Sequence, residues 1–545
     1  MPPSPDLLHL EPEERKARGA DLERALTFAY TTGGPQSAFD RVTDSSAHAD
    51  PSWQRAAFAE QLFVSQVVEK CMPLPADVPR SAGRPGRTPS LTAVLCLPPR
   101  THAGVVFRQK IARELAERPE LRAAATRAYV RIAEWRATLE ASAVGQRLDP
   151  LRRRIEILYG TKAVFDELAH GFVGAASGLE RLSSWAKAVQ AGPEYVRLAE
   201  LLESEAHLAT IDLSIRLGRD GELRRYEIVR VHAPSDNPFR MSAVARIWGK
   251  LKLMVLGHRV RPDEIASRLV DRVFEGIEPE VSRLFDVQRD LDFYLGALGF
   301  RELARSRGLE VCLPELAEPG AFVGRRLTAL FDPLLLLEKG TPVPCDLALT
   351  AEGSLVIITG PNSGGKTRLI EAIGLTQLLA HAGLWVPAAR AELPWTRGLY
   401  ASLNLGTSAL HSEGSLGTEL LRIRDLFERL EVGGLVVVDE LCSGTNPSEG
   451  EEIFELVVGL LAELDAQAFV TTHFLRFASR LETERPIPRL AFLQVALDAR
   501  DAPTYQFEPG VAKTSLARQT AERLGVTREE IGALIKGKLD AARRE

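Results

Sequence analysis

The stretch "VIITGPNSGGKTRLIEAIG", residues 356–374, decides how this chain is read. Apolar residues enter a run crowded with glycine, and a periodic apolar segment leaves it. Gly360, Gly365, Lys366 and Thr367 satisfy the phosphate-loop spacing G-x-x-x-x-G-K-[ST]. Glycine lets the backbone turn tightly, so successive N–H groups point into one concavity. A helix starting near Lys366 adds its positive dipole end there. Gly360, Pro361, Asn362, Ser363, Gly364, Gly365, Lys366 and Thr367 are the expected nucleotide-binding set. Lys366 can reach the β- and γ-phosphates of ATP, and the Thr367 hydroxyl can ligate Mg²⁺. The flanks agree: "SLVIITG" reads as a buried strand, and "TRLIEAIGLTQLLAHAG" as an amphipathic helix with a glycine stop.

Downstream, "GGLVVVDELCSGTNPSEG" places Asp439 and Glu440 at the end of an apolar strand, about 70 residues beyond the loop. A carboxylate there can hold Mg²⁺, and the next one can polarise an attacking water. Asp439 is the expected metal ligand beside Thr367, and Glu440 the expected base. "LDAQAFVTTHFLRFA" supplies another strand, ending in Thr471, Thr472 and His473, where a histidine can sense the γ-phosphate. Between them "HSEGSLGTELLRIRDLFERL" presents Ser415 before an amphipathic helix. An ordinary Ser/Gly cap has the same pattern. The order of these motifs is that of an ABC-type ATPase head, in which the capped helix serves the partner subunit's nucleotide.

At 545 residues the chain exceeds one ordinary core, and two to four domains are expected. Its hydrophobic and charged fractions, 45% and 26%, are those of a soluble globular protein. A net charge of −5 restricts any nucleic-acid surface to a local patch. The opening "MPPSPDLLHLEPEERK" lacks the pattern of a signal peptide. No apolar run reaches the ~18 residues of a membrane span. Five scattered cysteines suggest reduced core thiols. The expectation is a cytoplasmic protein with no membrane partner.

Residues 1–100 read as helices with irregular connections, with a linker at 79–90 whose arginines either touch phosphate or, as is commoner in such runs, are solvated. Residues 101–340 read as a helical body carrying a β-hairpin at about 208–231, signalled by alternation broken at Gly218–Gly221. Arg216, Arg219, Arg224, Arg225 and Arg230 lie on or near that hairpin, and Arg246, Lys250, Lys252, Arg259 and Arg261 follow it. They form either a phosphate-tracking surface, with Arg224 and Arg225 as its candidate DNA contacts, or a solvated face interspersed with acids. Residues 341–510 read as an α/β domain with a mostly parallel sheet, and 511–545 as a helical tail.

At "TGPNSGGKT", "DELCSGT", "VPCDLAL" and "TTHFLRFA" the chain resembles the ATPase domain of the MutS family. "GVAKTSLARQTAERLGV" is similar to that family's closing helix-turn-helix, which implies homodimerisation. "FRQKIARELAERPELR" and "DLDFYLGALGFRELARSRGLEVCLPEL" are similar to its helical core and lever. Departures are visible. Gly414-Ser415-Leu416 stands where the family has S-T-F, and "PVPCD" lacks the aromatic that often stacks adenine. The Phe58-Ala59-Glu60 triplet lies in a helical-looking segment and is no mismatch wedge, so the mismatch-reading domain is expected to be absent. The resemblance implies a dimeric, Mg²⁺-dependent ATPase that clamps DNA in repair or recombination. ATP would lie between two heads, with Ser415 of one facing Lys366 of the other. The rival reading is an ABC-type switch acting on a protein partner.

Overall fold

The computed structural model describes residues 3–11, 16–33, 53–83, 86–141, 150–206, 210–217, 223–232, 262–321, 323–338, 340–351, 354–403, 415–442, 446–513 and 526–542. The chain forms two compact units. One comprises residues 1–46, 74–90 and 110–295; the other comprises 47–73, 91–109 and 296–545.

The first unit is helical, apart from one hairpin. Its elements are α1 (Lys16–Thr32), the start of α2 (Arg87–Leu95), the second half of α3 (His102–Glu117), α4 (Pro119–Glu140), α5 (Pro150–Gly171), α6 (Glu180–Gln190), α7 (Pro193–Ala206), strands β1 (Thr210–Leu217) and β2 (Leu223–His232), and the greater part of α8 (Pro262–Ser306). Trp185, Phe165, Tyr129 and Phe172 are fully buried among these helices. The Trp185 indole N–H donates to Glu280 at 2.9 Å, so the largest core ring satisfies its one polar atom. Helix α8 has 45 residues, about 67 Å at the usual rise. The division between units falls inside it, after Leu295. Within the expected helical body α8 is seen from Pro262, and residues 233–261 lie outside the described ones.

β1 and β2 pair antiparallel, as the alternation anticipates, with Arg216 opposite Arg225. The turn at 218–222 and Arg219 lie outside the described residues, as do Arg246, Lys250, Lys252, Arg259 and Arg261.

The linker expected at 79–90 is corrected in part. Arg80–Ala82 form a 3₁₀ turn, and Arg87 opens α2. The Arg87 side chain is not solvated: its Nε lies 2.7 Å from Asp292, which is fully buried. Stripping a buried carboxylate of its cation costs about 3–5 kcal/mol, so burial of the acid holds this arginine in the fold.

The second unit is α/β. A four-stranded sheet has the order β3 (Glu315–Leu316), β7 (Arg390–Leu393), β4 (Arg325–Leu330), β5 (Cys345–Leu349). A six-stranded sheet has the order β12 (Pro503–Pro509), β11 (Leu490–Leu497), β6 (Leu355–Thr359), β10 (Gln467–Thr471), β9 (Leu435–Val438), β8 (Leu399–Ser402). All pairs in it are parallel except β11 with β12. β6, β8 and β9 are buried at every position, which explains their continuous apolar runs: both faces are covered. The helices here are α9 (Lys366–His381), α10 (Ser415–Arg429), α11 (Pro447–Glu463), α12 (Leu475–Glu484) and α13 (Arg528–Ala542). The boundary expected at 340/341 falls between β4 and β5, which pair with each other.

The first hundred residues hold a further correction. The segment from Trp53 to Lys70, read as helical, is a 3₁₀ turn, a left-handed Phe63, one α-turn and a π-turn. It belongs to the α/β unit. Gln61 Oε1 accepts from Leu403 N at 2.8 Å, and a Cβ on Gly374 of α9 would sit 3.0 Å from Leu62. Phe58, Leu62, Val64, Val67 and Val68 are all buried, and packing on several sides overrides the local helical preference.

Candidate functional site

β6 ends at Thr359, and the glycine-rich loop turns from it into α9. Gly360 has φ +138, and a Cβ there would lie 2.7 Å from Val495 of β11. Gly365 has φ +90, and a Cβ there would lie 3.3 Å from the Tyr505 ring. Both positions need glycine, for conformation and for clearance. Lys366 is buried and folds back over the loop, donating to Gly360 O at 2.9 Å and Pro361 O at 3.0 Å. Burial pulls its ammonium below the usual range, and the charges of Glu440 and Asp439 partly oppose this.

β10 lies between β6 and β9, so the carboxyl ends of all three converge. The Thr367 hydroxyl donates to Asp439 Oδ2 at 2.8 Å. The Thr471 hydroxyl donates to Asp439 Oδ1 at 2.5 Å and accepts the Glu440 N–H at 2.7 Å. β10 thereby holds both acids at the end of β9. Glu440 sits in the left-handed region, φ +49, and lines a cavity of about 570 Å³ with Asn362, Ser363, Gly364, Lys366 and Thr367. The oxygen pair Thr367–Asp439 suits Mg²⁺, which prefers few protein oxygens and completes its shell with water and phosphate. Among the described residues no group of three or more His, Cys, Asp or Glu is placed to hold a metal.

His473 follows β10 and is exposed; it stands at the same sheet edge but does not line the cavity. Ser415 opens α10, and its side chain lies outside the described residues, as does Gly414. Arg224 and Arg225 stand in β2 of the other unit, and their side chains too are outside the description.

Several residues at the site were missed by sequence reading. The cavity is also lined by Phe331, Val343, Tyr505 and Phe507. The aromatic absent from "PVPCD" therefore has a counterpart on β12, where Tyr505 is 45% exposed at φ +59. Arg422 of α10 donates to the carbonyls of Ser402 and Asp439, and Glu419 accepts the Cys442 N–H at 2.9 Å. Those two contacts tie α10 to the end of β9 within one chain. Their only sequence signal was an Arg and a Glu on the helix after Ser415.

α9 carries a second polar cluster. Arg368 donates to Asp332 at 3.2 Å and to Glu371 at 2.8 Å, and both acids are buried. Burial, then the Asp332 charge, push the Glu371 carboxyl up to about 8 against the pull of Arg368. Asp332 is raised as well, chiefly by burial. A carboxyl that holds its proton more tightly when folded stabilises the fold at low pH, and that stabilisation is lost as pH rises through the folded value. Stability is expected to fall between pH 4.5 and about 8. Glu371→Gln should flatten that decline, read as urea midpoints across the range. An equally steep decline in the variant would assign it to other groups.

All five cysteines are free thiols, and burial pushes Cys71, Cys96, Cys345 and Cys442 up to about 12. No helix among the described residues is long and apolar enough to cross a membrane.

A parallel sheet whose glycine-rich loop leads into a helix at the carboxyl ends of its strands is compatible with an ATPase domain. Residues 356–533 match the family model described as MutS domain V. The protein called Endonuclease MutS2 from Anaeromyxobacter sp. (strain Fw109-5) is 33% identical over 227 residues, 40% of this chain and 28% of that protein. That from Thermus thermophilus is 29% identical over 260 residues, 48% of this chain and 34% of its own length. That from Gemmatimonas aurantiaca is 31% identical over 349 residues, 61% of this chain and 41% of its own length. Over residues 356–533 the chain carries the MutS domain V of the MutS family. It spans 28–41% of the length of these curated relatives.

Proposed function

We propose that this chain is a MutS-like ATPase that couples ATP binding and hydrolysis at a dimeric head to clamping on DNA, in repair or recombination. The observation that carries the reading is the convergence of Lys366, Thr367, Asp439 and Glu440 at three adjacent strand ends. In this reading the loop N–H groups and Lys366 hold the β- and γ-phosphates. Lys366 exchanges its two loop carbonyls for phosphate oxygens. Thr367 and Asp439 hold Mg²⁺, which when bound neutralises charge on the phosphates. Glu440 takes the proton of the attacking water, and the loop donors stabilise the developing charge. His473 senses the γ-phosphate, and Ser415 serves the partner head. In this reading a helical core and lever accompany the ATPase domain, and a closing segment serves dimerisation. The cytoplasm is the compartment this reading requires.

Tyr505 and Phe507 are placed to flank the base. Tyr505→Ala is expected to weaken ATP binding about tenfold or more, since stacking on an aromatic ring is worth ~1–3 kcal/mol. Fluorescent-nucleotide titration measures this. An affinity within twofold of the parent would remove the ring from the base site.

The DNA half of the proposal rests on the family and on the hairpin. Its register puts Arg216 opposite Arg225, next to Arg224. The deciding experiment is DNA binding across a salt series on matched, mismatched, branched and single-stranded substrates, with and without ATP. Binding is expected to be ATP-modulated, steeply salt-dependent, and less than about tenfold selective for a single mismatch. Arg224→Glu with Arg225→Glu should weaken it about equally on all substrates and flatten the slope. A slope near zero would favour a protein partner.

A further inference from the structure

The parallel sheet has a second polar cavity, at the edge opposite the phosphate loop. The loop follows the carboxyl end of β6, whereas this cavity is lined by residues at the amino ends of the strands. Ser354 precedes β6, Arg397 lies just before β8, Gly433 just before β9, Gln467 opens β10, and Arg489 precedes β11. A five-residue strand separates the two edges by about 17 Å. The cavity holds about 280 Å³, at the lower edge of small-molecule sites.

Its chemistry is one-sided. Arg325 of β4 is 3% exposed and lies over the Phe469 ring at 5.5 Å. Its Nη1 donates to Gln377 Oε1 at 2.8 Å and its Nη2 to Gln467 Oε1 at 3.0 Å. Both acceptors are neutral, and among the described residues no carboxylate pairs with this guanidinium. Burial lowers it to about 9, so it stays charged at neutral pH. An uncompensated buried charge is strongly destabilising. Arg397, exposed on the rim, has no ion-pair partner among the described residues. Arg489 pairs with Asp465, yet its Nε is buried without an acceptor. The Ser354 hydroxyl is also buried without a partner. Among the described lining residues Asp465 is the single acid, so two arginine charges are left unmatched there, with unused donors on Arg489 and Ser354.

We propose that this cavity binds a phosphate group, free or as a small monoester, whose dianionic oxygens compensate Arg325 and Arg397 and accept from Arg489 and Ser354. Planar, forked guanidinium donors match phosphate oxygens. The site is separate from the nucleotide site and is linked to it through α9, by way of Gln377, and through β6, β9 and β10, whose amino ends line one site and carboxyl ends the other.

The test is isothermal titration of the full chain carrying Lys366→Ala, so that the phosphate loop does not compete. The probes are orthophosphate and glycerol 3-phosphate. One saturable equivalent is expected, and the tighter probe says whether the phosphate is free or esterified. Adding Arg397→Ala should weaken binding about tenfold, the worth of a charge-assisted hydrogen bond. Adding Arg325→Met should abolish it. Replacing an uncompensated buried charge by an apolar chain should leave the fold intact, which thermal unfolding in phosphate-free buffer checks. Arg397→Ala alters an exposed side chain and keeps the test valid if Arg325→Met does not fold. The proposal is overturned if neither probe binds the Lys366→Ala protein, or if the added arginine substitutions leave binding unchanged.

Discussion

Glu440→Gln is expected to bind ATP as the parent does and to hydrolyse it about 10²–10⁴-fold more slowly. The geometry makes the substitution conservative. The Glu440 backbone, not its side chain, is what Thr471 holds, through the N–H bond of 2.7 Å. An isosteric amide keeps that anchor and the left-handed φ of +49. Only the proton acceptor is lost, because an amide cannot take up the proton of an attacking water. One secondary effect has a definite sign. Glu440 is among the charges that support the Lys366 ammonium against burial. Removing it should make nucleotide binding weaken sooner as pH rises. Nucleotide affinity and phosphate release, measured on one preparation, separate the two consequences. Equal hydrolysis rates in variant and parent would take Glu440 out of the mechanism.

What the sequence revealed and what it hid follow from distance along the chain. β6, the loop and α9 occupy one continuous stretch, so apolar run, glycine turn and helix appear in order, although α9, expected to be amphipathic, is buried at every position after Arg368. β9 and β10 are buried on both faces, and a short apolar run closed by Asp439 or Thr471 marks each. Thr367, at the start of the helix that leaves β6, and Asp439, at the end of β9, lie 2.8 Å apart because β6 and β9 flank β10 with their carboxyl ends at one edge of the sheet. Tyr505 gives no such local cue: its strand mixes half-buried and exposed positions without a period of two, and the antiparallel pairing of β12 with β11 brings it to Gly365. The segment 53–73 was illegible for a different reason. Its apolar residues face several neighbours rather than one, so no single period describes them. The small sheet was hidden because β3 and β7 are two and four residues long and lie far apart in sequence.

Lys366→Ala is expected to abolish measurable ATP binding and, with it, hydrolysis. The side chain is buried under the loop and its ammonium is held 2.9 and 3.0 Å from two loop carbonyls. Alanine removes the cation that faces the phosphates and also leaves the Gly360 and Pro361 carbonyls without this donor. Polyphosphate then meets carbonyl oxygens where it met a positive charge, so both changes oppose binding. Loss of the fold would mimic this result, and unchanged urea midpoints exclude it. The same variant tests whether the site is shared between heads. Ser415→Arg is expected to fail because its helix cannot serve a partner's nucleotide, whereas Lys366→Ala fails because its own loop is empty. In a mixed dimer one composite site keeps both intact halves, and part of the hydrolysis should return on mixing. Subunit exchange, followed by energy transfer between labelled chains, must be shown in the same mixture. Exchange without any recovered hydrolysis would mean that each chain completes its site alone, and would leave Ser415 outside it.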